Sequence, residues 1–178
     1  GNAFNDLTLD AVMEGKINGM GFQGELFIKR HTSGTGASLE RLSLKFASGG
    51  EVALSGDLLP DLDLVGLAQG ITHEALLSLF PQLAVVDPHG VLDTELRIAG
   101  SPRQATAEGK ITSANGRIAG FPIKSAKASW QLVGRSLRFF DLSALTFGSP
   151  LSGEISFDLS TRPIVMETKL SGEGLDID

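Results

Sequence analysis

The sequence predicts a mainly β protein: an antiparallel β-meander with one short amphipathic helix. Three observations predict it. Apolar and polar residues alternate with period two in run after run, turn-forming pairs separate the runs, and one stretch switches to helical spacing. Alternation at period two sends successive side chains to opposite faces, so each run describes a strand with one apolar and one wet face.

In the first run, Leu7, Leu9, Ala11, Met13 and Ile17 take odd positions, with Thr8, Asp10, Glu14, Lys16 and Asn18 between them. Leu42, Leu44 and Phe46 alternate with Arg41, Ser43 and Lys45, and Val52 and Leu54 follow against Glu51 and Ser55. Beyond the middle of the chain, Leu92, Leu96 and Ile98 alternate with Asp93, Glu95 and Arg97. Ala126, Ala128, Trp130 and Leu132 do so with Lys127, Ser129 and Gln131, and Leu151, Ile155, Phe157 and Leu159 with Ser152, Glu154, Ser156 and Asp158. Turn signals stand at Ser33-Gly34, Gly49-Gly50, Asn115-Gly116 and Gly148-Ser-Pro150. The exception runs from Thr72 to Phe80. Thr72 is placed to cap a helix of about two turns, Leu76, Leu77 and Phe80 form its stripe against the sheet, and Pro81 ends it.

A repeat underlies these runs. Glu14-Gly-Lys-Ile17 recurs as Glu108-Gly-Lys-Ile111, residues 39–58 resemble 138–159, and Gln69-Gly-Ile-Thr72 matches Glu173-Gly-Leu-Asp176. The expectation is two β units, 1–81 closing with the helix at 72–80 and 82–178 ending before its own helix, joined as one continuous sheet. The 178 residues suffice for a sizeable core. The net charge of -6 comes from interleaved acids and bases, which argues against a nucleic-acid partner. Without Cys there is no disulfide framework, thiolate metal site or cysteine nucleophile. No apolar run approaches the roughly 18 residues that cross a bilayer, and the chain reads as a piece of something longer.

Gly19-Met-Gly21-Phe-Gln-Gly24 has the spacing of a dinucleotide fingerprint, which needs a strand before it and a helix after it. The next residues are Glu25-Leu-Phe-Ile-Lys29, rich in β-formers, so the glycines are read as turn glycines. His31, His73 and His89 are far apart in sequence, and Asp87-Pro-His89 lacks a third ligand nearby. Asp61 with Asp63, and Asp176 with Asp178, lack the loop of a calcium site and read as wet-face positions. There is no Gly-x-Ser-x-Gly elbow and no Ser-x-x-Lys, and with no Tyr and one Trp the chain is poorly equipped to stack sugars. The sequence points away from an enzyme and calls for no cofactor and no metal.

What remains is the apolar face. Its candidate residues are Leu7, Leu9, Met13, Ile17, Val52, Leu54, Leu92, Leu96, Ile98, Trp130, Leu132, Leu151, Ile155, Phe157, Leu159 and Met166. They either seal a sandwich core or line an open groove; pattern alone leaves both readings standing.

Residues 90–123, GVLDTELRIAGSPRQATAEGKITSANGRIAGFPI, and 142–178, with Gly-Leu-Asp-Ile at 174–177, resemble the AsmA-like superfamily of bacterial envelope proteins with its TamB and YhdP-type members. The resemblance rests on patterning over most of the chain, without catalytic residues. It implies an internal fragment of a long periplasmic protein anchored in the inner membrane. Its sheet would be a curved, taco-like open sheet or half-barrel, whose apolar groove shields phospholipid acyl chains on their way between inner and outer membranes. It also implies an alternative, an outer-membrane protein assembly module acting by β-strand addition; a closed β-sandwich binding domain is the third reading. About a dozen strands at ~4.8 Å spacing would make a sheet on the order of 55 Å across.

Overall fold

The computed structural model describes residues 7–30, 36–118 and 120–172. His31, the Ser33-Gly34 signal, and the closing stretch with Asp176 and Asp178 lie outside the described residues. The chain forms β1 (Thr8–Ile17), β2 (Met20–Arg30), β3 (Ala37–Phe46), β4 (Glu51–Leu59) and β5 (Leu62–Thr72). Helix α1 (His73–Leu79) and a 3-10 turn (Pro81–Val86) follow. Then come β6 (His89–Gly100), β7 (Thr106–Ile118), β8 (Phe121–Val133), β9 (Ser136–Thr146), β10 (Ser149–Asp158) and β11 (Val165–Gly172). Every strand pairs antiparallel with its neighbour in sequence, in one sheet ordered β1 through β11 that does not close into a barrel. The described residues thus form one sheet, where a sandwich would have two.

The turn at Asn18-Gly19 has both residues at positive φ, 48° and 87°, the conformation that suits the twist of a tight hairpin. Of the fingerprint-like glycines only Gly19 is in that turn; Gly21 and Gly24 lie within β2. Asn115-Gly116 is not a turn either. Both residues continue β7, facing Lys124 and Ile123 of β8. Gly116 is small for another reason: a Cβ there would sit 2.5 Å from the His89 carbonyl oxygen of β6.

The repeat has a counterpart in the strands. Matching Glu14-Gly-Lys-Ile17 to Glu108-Gly-Lys-Ile111 lays β1 on β7 and, in order, β5 on β11. Leu54-Ser-Gly56 in β4 then falls on Leu151-Ser-Gly153 in β10. Gly56 and Gly153 have φ of +133° and +146°, and a Cβ on either would collide with a carbonyl oxygen of the next strand, that of Asp63 or Lys169. β6 stands between the two sets without a counterpart, and the sheet runs unbroken past residue 81 through the β5–β6 pairing.

Helix α1 begins where expected, with the Thr72 side chain accepting from the Ala75 amide at 3.3 Å. Its contact stripe differs from the expected one. Ala75 and Ser78 are buried, and Leu76 and Leu79 pack against Phe46, Ala68 and Ile71 of the sheet. Phe80 is 40% exposed. The helix stops at Leu79, and Phe80 at φ -132° has left the helical conformation, so its ring leaves the stripe. Pro81 opens the 3-10 turn, where its missing N–H costs nothing. Asn18 holds the helix from the β1–β2 turn, its Nδ2 donating to the Ser78 carbonyl at 2.6 Å.

Candidate functional site

The register determines which residues share a face. Following direct partners from strand to strand gives Leu9, Ile28, Leu39, Gly56, Leu64, Ile98, Ala107, Leu132, Leu137, Phe157 and Met166. This row crosses all eleven strands without a polar side chain. A second row, beside it on the same face, runs from Ala11 through Leu26, Leu42, Leu54, Gly66, Leu96, Gly109, Trp130, Phe139 and Ile155 to Thr168. Ten inter-strand spacings of about 4.8 Å make each row on the order of 48 Å long.

The expected apolar residues gather on this face. Ile17, Val52, Leu92 and Leu96 pack around the helix cluster, and Leu151 faces buried Ala144. Leu7 and Leu159 lie just outside strands, each prolonging a hairpin by one bond: Arg30 N to Leu7 O at 2.9 Å, and Leu159 N to Arg135 O at 2.8 Å. Leu92, Ile155, Phe157 and Met166 line a cavity of about 190 Å³ with Leu76 and Leu83 at its helix end. Strands β6 and β11, five places apart in the sheet, contribute to this one cavity, which requires the sheet to curl over its apolar side.

Ile111, Ala128, Phe139 and Leu142 also line the cavity, and sequence reasoning did not put them among the candidates. The repeat carried a signal for Ile111, which occupies the place of Ile17. Phe139 and Leu142 have opposite parity and still share the face, because a register shift in β9 falls between them. Asp141, at φ +52°, takes up the extra residue.

The rim of the cavity is polar. The rings of His73 and His89 stack with centroids 4.8 Å apart, although the two are 16 positions apart in the chain. His73 Nε2 lies 3.2 Å from Glu74, and Arg117 lies 3.2 Å from His89 Nε2 and 3.7 Å from Asp87. Hydrogen bonds from its own backbone amide and the Thr72 hydroxyl hold the Glu74 carboxyl below the usual carboxylate range. Among the described residues no group of three or more His, Asp or Glu is placed to hold a metal ion.

The other face carries cross-strand ion pairs: Glu25 with Arg41 at 3.3 Å, Asp63 with Arg97 at 2.8 Å, and Glu154 with Arg138 at 2.8 Å. Such exposed pairs set register and solubility more than stability. Among the described residues no helix is long and apolar enough to cross a membrane. Comparison of the chain with protein-family models, curated proteins and solved structures finds no match in any of the three.

Proposed function

We propose that this chain is a non-enzymatic segment of a cell-envelope protein, and that its apolar groove shields phospholipid acyl chains passing between inner and outer membranes. The observation that carries the reading is the row from Leu9 to Met166, apolar or glycine at every one of the eleven strands. A hydrocarbon chain lying along such a row crosses the strands without meeting a charge, and each buried CH₂ contributes about 0.8 kcal/mol. Binding of this kind is non-directional and tolerant of tail length, so it needs no polar constellation. Met166 in the cavity lining adds an adaptable surface. The resemblance to AsmA-like proteins supplies the rest of the reading: a periplasmic site of action and a parent anchored in the inner membrane.

The test is lipid capture. The chain, purified from a bacterial envelope fraction and extracted with organic solvent, yields phospholipid by mass spectrometry in excess of a charged-face control. Ile155→Asp, which sets a carboxylate in the cavity lining, lowers the yield several-fold, whereas Ser156→Asp leaves it unchanged. Equal yields from both variants would exclude the groove as the binding site.

A further inference from the structure

The edge strand β11 is chemically symmetric about its own centre. All eight of its residues are exposed, and among the described residues it has a single neighbour, β10. Its pairing with β10 assigns the faces. Met166, Thr168 and Leu170 stand opposite Phe157, Ile155 and Gly153 on the apolar side, and Glu167 and Lys169 lie on the polar side. Reading outward from Thr168 in both directions gives a charged residue, Glu167 or Lys169, then an apolar one, Met166 or Leu170. An antiparallel pair of such strands, centred on Thr168, matches from Met166 to Leu170, and beyond these Val165 meets the second copy's Ser171 on the polar side. Met166 meets the second copy's Leu170 on the apolar side, and Glu167 meets the second copy's Lys169 on the polar side.

The topology favours the same arrangement. Because the sheet has an odd number of antiparallel strands, β1 and β11 run in the same direction. A second copy added head to tail, with its apolar face on the same side, would make a parallel joint between β11 and β1. An antiparallel joint that keeps both apolar faces together requires a two-fold axis normal to the sheet, and so joins β11 to β11 or β1 to β1. β1 has two equally long face-matched pairings with itself: centred on Met13 it sets Val12 against the second copy's Glu14 twice over, and centred on Val12 it sets Asp10 against the second copy's Glu14, two like charges. β11 has neither mismatch.

We infer that β11 is a self-association edge, through which two copies of this chain join as a two-fold dimer with one continuous apolar face. The joint lengthens both rows of the groove. Met166, which lines the cavity, gains the second copy's Leu170 beside it, and Thr168 meets its symmetry mate at the centre. On the polar side the alternation of charge continues. Arg138 pairs with Glu154 at 2.8 Å, Glu154 stands opposite Lys169, and Lys169 then meets the second copy's Glu167. The inference concerns the sheet edge and stands whether or not the groove carries lipid.

Charge reversal and crosslinking test it on the whole 178-residue chain. Sedimentation should find a dimer. Glu167→Lys and Lys169→Glu, each placing like charges opposite each other twice per joint, should each raise its Kd by about tenfold or more. The double variant Glu167→Lys/Lys169→Glu restores opposite pairing and should return the Kd to near the original. The chain has no native cysteine, so a short bis-maleimide should link Thr168→Cys into a dimer. It should leave Val165→Cys unlinked, since those sites would lie about 20 Å apart across the axis. A monomer at all concentrations would overturn the inference. So would a double variant as weak as the single ones, linkage at residue 165 equal to that at 168, or loss of the dimer on Asp10→Lys in β1.

Discussion

The indole Nε1 of Trp130 donates a hydrogen bond to Thr94 Oγ1 at 2.8 Å, reaching from β8 to β6 across the intervening strand. The residue between them in β7 is Gly109, and a Cβ there would meet Trp130 Nε1 at 3.0 Å and collide with the Glu95 carbonyl oxygen. The Thr94 hydroxyl donates onward to the Lys110 carbonyl at 2.8 Å. Three strands are thus tied together on the apolar face by the one tryptophan, and a polar hydroxyl sits there with its bonds satisfied.

Loss of that tie has a readable cost. Trp130→Phe should lower stability by about 1 kcal/mol, the usual net worth of one hydrogen bond. Gly109→Ala should cost more, about 1–3 kcal/mol, because the added methyl has to displace β6 or the indole. Urea unfolding of each variant checks the order; equal effects would mean that the close approach of β6 and the indole to Gly109 does not constrain an added methyl.

The helix covers only part of the apolar face. Ile71 beneath it is 2% exposed, while Leu170 at the far edge is 46% exposed. Ile71→Ala should therefore cost about 2–5 kcal/mol and Leu170→Ala well under 1 kcal/mol. If both cost several kcal/mol, the face would be sealed throughout.

The helix itself hangs on two polar contacts. Thr72→Ala should cost about 1 kcal/mol by removing the cap from the Ala75 amide. Asn18→Ala removes the bond to the Ser78 carbonyl and puts alanine at a positive φ that asparagine tolerates better. Hydrogen exchange should show α1 amides losing protection in both variants before the sheet does.

Acid should loosen the polar face. The Arg97 guanidinium, by its hydrogen bond, holds the Asp63 carboxyl below the usual carboxylate range, and Arg138 does the same to Glu154. A carboxyl with a depressed folded-state value contributes stability that is present above its unfolded value and is lost as pH falls through the folded one. Thermal melts taken down through the carboxylate range should fall less steeply for Asp63→Asn and Glu154→Gln than for the parent chain. Parallel curves would show that the pairs make no difference to folding.

Strand after strand was legible in the alternation, and so was the choice of face, because one parity held from Leu9 to Ile17 and again from Leu151 to Phe157. What alternation does not carry is the local slip. Asp141 reverses parity inside β9, so Phe139 and Leu142 had no common pattern to announce them. Gly116 looked like half of a turn because glycine serves close approach and tight turning alike. The stacking of His73 on His89 depends on how the chain returns from α1 to β6, a three-dimensional fact that spacing does not encode. The helix cap at Thr72 was local and visible; Phe80 was counted in the stripe although it precedes Pro81, and a residue before proline is pushed out of the helical conformation.

The central claim is that the curved apolar face receives lipid. Photo-crosslinking tests it most directly, with a photoreactive residue placed in turn at Ile155, Met166, Ser156 and Glu167 in the chain incubated with phospholipid vesicles. Ile155 and Met166 line the cavity, and their neighbours Ser156 and Glu167 have the opposite parity. The account predicts phospholipid adducts at Ile155 and Met166 and none at Ser156 and Glu167. Adducts at neither pair, or equally at both, would contradict it.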